Sequence, residues 1–196
     1  MKKLLLAVLF AVFAMPAFAG IDEGIDKGMT HVFIMGGVAF PATQFEVGNT
    51  NYDFAGKGFT YGAQMMYYLA PVFGMGVEFN GTSYGEQTTR GISFKANKYS
   101  YMLAGKVNFM AEQKTRVYIP FGAGMATFKS EVDGDSETAS KPAVYAGVGV
   151  ESDLNDIFLI GFEVRYNYFW IDKERMGVDN GALSDLGALL KIGIKF

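Results

Sequence analysis

The sequence predicts an all-β protein, an eight-stranded antiparallel up-and-down barrel that crosses a membrane, on three observations. Apolar residues make up 50% of the chain and aromatics 15%, yet beyond residue 20 no run approaches the ~20 continuous apolar residues of a membrane helix. Eight segments alternate apolar and polar residues with a period of two, the spacing of a strand with two unlike faces. The connections between those segments alternate between short and long.

The N-terminus is read as an address. Lys2 and Lys3 form a basic start, Leu4 to Met15 is unbroken apolar sequence, and Pro16-Ala17-Phe18-Ala19 supplies a small-x-small cleavage site before Gly20. Such a run is short for a spanning helix and has the layout of an export signal. The expected organisation is a cleaved signal at 1–19, a short periplasmic segment at 20–27 and a barrel domain at 28–196. Cleavage leaves 177 of 196 residues and moves the formal charge from −3 to −5. A mildly acidic chain without clustered Lys and Arg argues against nucleic acid as a partner. Cysteine is absent, which excludes disulfides, thiolate metal sites, a Cys nucleophile and a lipidated N-terminal Cys.

The strands follow in order. Residues 30–40 alternate weakly, with His31 opposing Val32, Ile34, Val38 and Phe40. Residues 58–69 set Phe59, Tyr61, Ala63, Met65, Tyr67 and Leu69 against Thr60, Gly62, Gln64, Met66 and Tyr68. In 73–80, Phe73, Met75, Val77 and Phe79 oppose Gly74, Gly76, Glu78 and Asn80. Residues 98–109 carry Tyr99, Tyr101, Leu103 and Val107 opposite Lys98, Ser100, Lys106 and Asn108. Residues 116–128 place Val117, Ile119, Phe121, Ala123 and Met125 on one face. Pro120 lacks a donor for the ladder, so it is expected near a rim or at a bulge. Residues 142–151 alternate Val144, Ala146, Val148 and Val150 with Tyr145, Gly147, Gly149 and Glu151. Residues 157–170 oppose Phe158, Ile160, Phe162, Val164, Tyr166 and Tyr168 to Gly161, Glu163, Arg165 and Asn167. The last strand carries Ala188, Leu190, Ile192, Ile194 and Phe196 opposite Gly187, Lys191, Gly193 and Lys195.

Short connections fall near Ala70–Val72, Ala111–Thr115 and Ser152–Asp156, and long ones near Pro41–Lys57, Gly81–Asn97, Ser130–Lys141 and Asp172–Gly181. Strict alternation of this kind is the pattern of periplasmic turns and extracellular loops, and it puts both termini in the periplasm. A soluble carrier barrel also has eight strands but turns its apolar face inward. Eight strands enclose a space only just wide enough for side chains. Glycines with a few charged residues fit there; the Phe, Tyr, Leu and Ile faces would overfill it. Tyr99, Tyr166, Tyr168 and Trp170, near strand ends, suit interfacial girdles.

Three stretches carry a resemblance: Glu163-Val164-Arg165-Tyr166, Tyr145-Ala146-Gly147-Val148-Gly149, and Leu190-Lys191-Ile192-Gly193-Ile194-Lys195-Phe196. They are similar to the small eight-stranded outer-membrane barrels that include OmpX, the OmpA transmembrane domain and the neisserial opacity proteins. The resemblance implies an outer-membrane location, contact with outer-membrane lipids and lipopolysaccharide, and assembly by the barrel-assembly machinery. Leu190, Ile192, Ile194 and Phe196 match the alternating C-terminal signal that this machinery recognises. No peptidoglycan-binding domain of the full OmpA type is expected after the last strand. The family includes adhesins, structural proteins and enzymes, so the resemblance fixes architecture better than activity.

Charges facing a narrow lumen must be paired and hydrogen-bonded. Glu78, Lys106, Glu151, Glu163, Arg165 and Lys191 are expected there, with Glu78, Lys106, Glu163 and Arg165 as the primary network. That network either plugs the barrel or lines a narrow ion path. His31, the single histidine, lies at the start of the first strand with no His-x-Ser motif. That position does not suit a lipid-modifying enzyme with a histidine base. The acidic stretch Ser130–Glu137 departs from a calcium-loop pattern and reads as solvated loop. Phe45, Tyr52, Phe54 and Tyr84 offer aromatic anchors for an unidentified extracellular ligand or packing for the rim. No cofactor, metal or catalytic group is expected; the expected role is structural or adhesin-like, with a narrow pore as the alternative.

Overall fold

Residues 24–42, 44–47, 50–53, 57–85, 87–89, 92–132, 135–170 and 182–196 are described by the structure, a computed structural model. Their strands are β1 (Thr30–Pro41), β2 (Gln44–Val47), β3 (Thr50–Asp53), β4 (Gly58–Ala70), β5 (Phe73–Tyr84) and β6 (Gln87–Thr89). They continue with β7 (Ile92–Phe109), β8 (Thr115–Val132), β9 (Asp135–Asp153), β10 (Phe158–Trp170) and β11 (Ala182–Lys195). Eight of them pair antiparallel in the order β5-β4-β1-β11-β10-β9-β8-β7, and β5 pairs with β7 to close the cylinder. Closure leaves none of these strands with an unpaired edge. The seam between first and last strands runs from His31↔Lys195 to Pro41↔Asp185.

The two faces are sorted as the alternation requires. Leu103 is 73% exposed and Ile34 67%, whereas Arg116, Glu163 and Lys191 are fully buried. Charges inside and large apolar side chains outside form a stable arrangement only when the exterior meets lipid. Each barrel strand has at least 12 residues, beyond the ~9–11 that a tilted strand needs to cross a bilayer.

Short turns at 71–72, 110–114 and 154–157 lie at one end, here the turn end, together with both ends of the described chain. The long connections lie at the other, the loop end. Two of them differ from expectation. β8 and β9 remain paired out to Val132↔Asp135, so most of Ser130–Lys141 is hairpin rather than loop. Likewise β6 pairs with β7 through Gln87↔Phe94, within the stretch read as the loop Gly81–Asn97. Above the lipid both faces of a strand are hydrated, so the apolar alternation that marks a strand in the sequence is lost there. The first long connection holds the hairpin β2–β3, in which Phe45 and Tyr52 are paired. Phe54 and all of Asp172–Gly181 lie outside the described residues.

Pro120 is neither at a rim nor at a counted bulge. It sits in the body of β8, facing the lumen and paired with Lys106 of β7. On its other side the β8–β9 ladder omits Ile119 and Pro120 but resumes in the same register, from Tyr118↔Gly149 to Phe121↔Ala146. The missing donor is absorbed as a local gap in one ladder.

Candidate functional site

Glycine and aromatic residues shape the lumen. Phe33, Tyr68, Tyr118 and Tyr145 pair across strands with Gly193, Gly74, Gly149 and Gly122 respectively. In each pair the ring lies where a side chain on the glycine would stand. Aromatic cover of a strand glycine supports the ladder and fills the space left by the absent Cβ. Outside, Phe121 covers Gly105 and Tyr61 covers Gly81 in the same way. This explains why the inward faces can be glycine-rich without leaving voids.

Between the rings lie three groups of charges. At the turn end, Arg116 donates to Asp153 (Nη2–Oδ1 2.5 Å, Nη1–Oδ2 3.1 Å), and Lys195 donates to Asp153 Oδ2 at 2.7 Å. Lys106 donates to Glu151 Oε2 at 2.6 Å, while Arg116 Nη2 lies 3.4 Å from Oε1 of the same carboxylate. His31 Nδ1 is 3.6 Å from Glu151 Oε1. Residues before β1 lie against this end: Ile25 and Met29 pack on Met66, Tyr68 and Ala104.

At mid-lumen, Arg165 Nη1 meets Glu78 Oε1 at 2.5 Å and Glu163 Oε1 at 3.5 Å. Glu78 also accepts from Gln64 Nε2 at 2.6 Å, from Tyr145 Oη at 3.1 Å and from Asn80. Glu163 accepts from Lys191 Nζ at 3.1 Å and Tyr118 Oη at 3.0 Å. Near the loop end Asp185 receives Lys98, Tyr84 Oη at 2.7 Å and Asn167 Nδ2 at 2.6 Å. Lys98 also sits 4.4 Å above the ring of Phe169, a favourable place for a cation.

Of the four residues expected as the primary network, Glu78, Arg165 and Glu163 come together. Lys106 instead pairs with Glu151 one layer nearer the turn end, and Lys191 takes its place beside Glu163. Registry decides this: Lys106 faces Gly74 and Pro120, well below the level at which Glu78 faces Met102. Arg116, Asp153, Lys195 and Asp185 also belong to the buried polar set and were not singled out from sequence. Lys195 already stood on the inward face of the last strand, Arg116 opens its segment opposite Val117, and Asp153 and Asp185 continue the inward register two positions beyond Glu151 and Gly187. The terminal residues Leu190, Ile192, Ile194 and Phe196 all face outward and are exposed, Phe196 at 72%.

Among the described residues, charge therefore crosses the whole lumen as bonded pairs rather than as an open file. A cavity of about 10 Å³ remains, lined in part by Thr60, Asn80, Lys98 and Arg165; it is room for about one water.

A closed eight-stranded cylinder with a charged, filled lumen and an apolar exterior defines a small outer-membrane β-barrel. The chain belongs to the outer membrane protein beta-barrel domain family, which matches residues 5–188, and its location is the outer membrane. No curated protein sequence matches it.

Solved structures share the fold, three of them as follows. Neisserial surface protein A has a TM-score of 0.64 and 13% identity over 87% of this chain and 100% of its own. The N-terminal β-barrel domain of Pseudomonas aeruginosa OprF has 0.59 and 13%, over 88% and 100%. Ail, the attachment invasion locus protein of Yersinia pestis, has 0.53 and 20%, over 87% and 99%. At such identities the likeness is one of fold.

Proposed function

We propose that the protein is a non-enzymatic outer-membrane scaffold that supports the envelope and presents its long connections to ligands at the cell surface. The bonded lumen carries this reading: Lys98, Lys106, Arg116, Arg165 and Lys191 are each tied to a carboxylate inside it, which leaves the outside and the loop end as the barrel's usable surface. In this reading both termini and the short turns face the periplasm, after cleavage of the signal at 1–19. Outer-membrane lipids and lipopolysaccharide surround the apolar belt, and the barrel-assembly machinery reads the C-terminal strand. His31 supports a non-enzymatic role by position, being sealed inside the lumen at the turn end rather than offered to lipid.

The test is a series shortening each long connection, scored for attachment to cells and matrix, beside a deletion strain scored for detergent sensitivity. Loss of attachment on shortening one connection, with the barrel intact, identifies the surface contact. Unchanged attachment throughout, with a normally resistant deletion strain, removes the reading. Steady discrete openings in planar bilayers would replace it with a narrow pore.

A further inference from the structure

At the turn end one nitrogen–sulfur contact leaves a neutral imidazole without a satisfactory proton arrangement. His31 is fully buried, with Nε2 3.3 Å from the Met29 sulfur and Nδ1 3.6 Å from Glu151 Oε1. A neutral imidazole has one N–H and one lone pair. With the proton on Nε2, the Nδ1 lone pair faces a carboxylate. With the proton on Nδ1, the Nε2 lone pair faces a thioether sulfur with nothing between them. Nδ1 has no hydrogen-bond partner, and neither has the hydroxyl of Tyr68, whose ring centroid is 4.6 Å from that of His31.

We propose that this place is a site for a soft monovalent cation, Cu(I) or Ag(I), held by His31 Nε2 and Met29 sulfur with the Met66 thioether as third ligand. Thioether and imidazole donors suit Cu(I) and discriminate against hard cations. The nitrogen and the sulfur are 3.3 Å apart, near enough for one ion to bond both and keep a side open for a third ligand. Nδ1–H is then directed at Glu151, the carboxylate–histidine–metal arrangement that fixes a ligating ring.

Sequence and register build the site. Met29 and His31 are two residues apart where the chain enters β1, and Met66 is the partner of His31 on β4. Met66 is fully buried, and Met29 packs against the cluster that contains it. Glu151, Asp153, Lys106, Arg116 and Lys195 supply two negative and three positive charges nearby. That balance opposes a dication and leaves the site to an ion bound chiefly through covalent bonds to sulfur and nitrogen. Met29, half-buried in the segment before β1, stands at the mouth.

The experiment takes the protein from membranes into detergent and titrates it with Ag(I) in chloride-free buffer. Native mass spectrometry counts retained ions, and NMR follows the imidazole of the single histidine. One Ag(I) per chain and a shifted imidazole signal are expected. Met29→Leu and His31→Gln should each weaken retention by at least the ~10-fold that losing even an outer-shell partner costs. Met66→Leu should weaken it less. Heat-modifiable gel migration confirms that each variant is folded, and Met29, outside the strands, can be changed without touching the ladder. No retained Ag(I), equal retention by Met29→Leu, or equal retention of Zn(II) overturns the proposal. So does an imidazole that moves on acidification but not with Ag(I), since a second proton then occupies the gap.

Discussion

Arg165 on β10 crosses the full width of the lumen to Glu78 on β5, with Nη1 2.5 Å from Oε1. The two strands are diametrically opposite in the closed order, so this pair braces the cylinder rather than one ladder. Lys98 on β7 and Asp185 on β11 make a second such brace nearer the loop end.

Removing one partner of the central brace leaves the other charge buried without its counter-ion. Arg165 serves Glu78, Glu163 and Asn80 together. Arg165→Met should therefore destabilise the barrel by about 3–5 kcal/mol, read from urea unfolding in detergent. Adding Glu78→Gln should restore part of that loss. A double variant no more stable than Arg165→Met alone would show that Glu78 is adequately held by Gln64, Asn80 and Tyr145.

The glycine–aromatic pairs give a prediction with its own control. A Cβ at Gly149 would lie 2.5 Å from the Tyr118 hydroxyl oxygen and 2.6 Å from Cε2. Gly149→Ala must push away a ring whose hydroxyl serves Glu163, at a cost of about 1–3 kcal/mol. A Cβ at Gly161 meets nothing nearer than Val150 O at 3.2 Å, so Gly161→Ala should shift the unfolding midpoint much less. Equal shifts would contradict the role given to Tyr118.

Ordered residues at the turn end make a third test. Ile25 N donates to Ala111 O at 2.9 Å, Gly28 N to Tyr68 O at 2.8 Å, and the Ile25 side chain is buried among Met66, Tyr68 and Ala104. Lys27 beside it is exposed. Cleavage at Lys27 requires this segment to lift, and its rate tracks the lifted population. Ile25→Asp should make trypsin cleave there faster while leaving the barrel heat-modifiable. An unchanged rate would mean that the Ile25 side chain does not hold the segment down.

The architecture was legible because the bilayer imposes a strict rule: within its thickness every second residue faces lipid. Where lipid ends, legibility ends too, and the paired extensions of β8 and β9 beyond Phe128 read as loop. Inside, the facing direction of Glu78, Lys106, Glu163 and Arg165 could be read from period two, but their partners could not. Pairing depends on height, and height depends on the register between distant strands, as Lys106 shows by pairing with Glu151 and not within the expected four. Ile25 gave no periodic signal at all, since a single residue packing against the barrel end has no repeat. The Met29–His31 spacing was in plain view. The thioether meant nothing until Glu151, 120 positions along the chain, was placed on the far side of the ring.

Phe196 separates assembly from stability. Its backbone closes the seam: Thr30 N donates to Phe196 O at 2.8 Å, and Phe196 N donates to Thr30 O at 3.0 Å. Its side chain is 72% exposed and ends the outward stripe of Leu190, Ile192 and Ile194. Phe196→Ala keeps both backbone bonds and removes only a ring that faces outward. If the stripe is what the assembly machinery reads, the variant should reach the outer membrane in markedly smaller amounts. Protein that does insert should keep an unfolding midpoint close to that of the parent, since the ring leaves lipid contact rather than a packed core. Quantitative blotting of outer-membrane fractions, beside urea unfolding of the purified variant, measures the two effects separately. Normal insertion with a lowered midpoint would reverse the assignment and make Phe196 a stability residue of the seam.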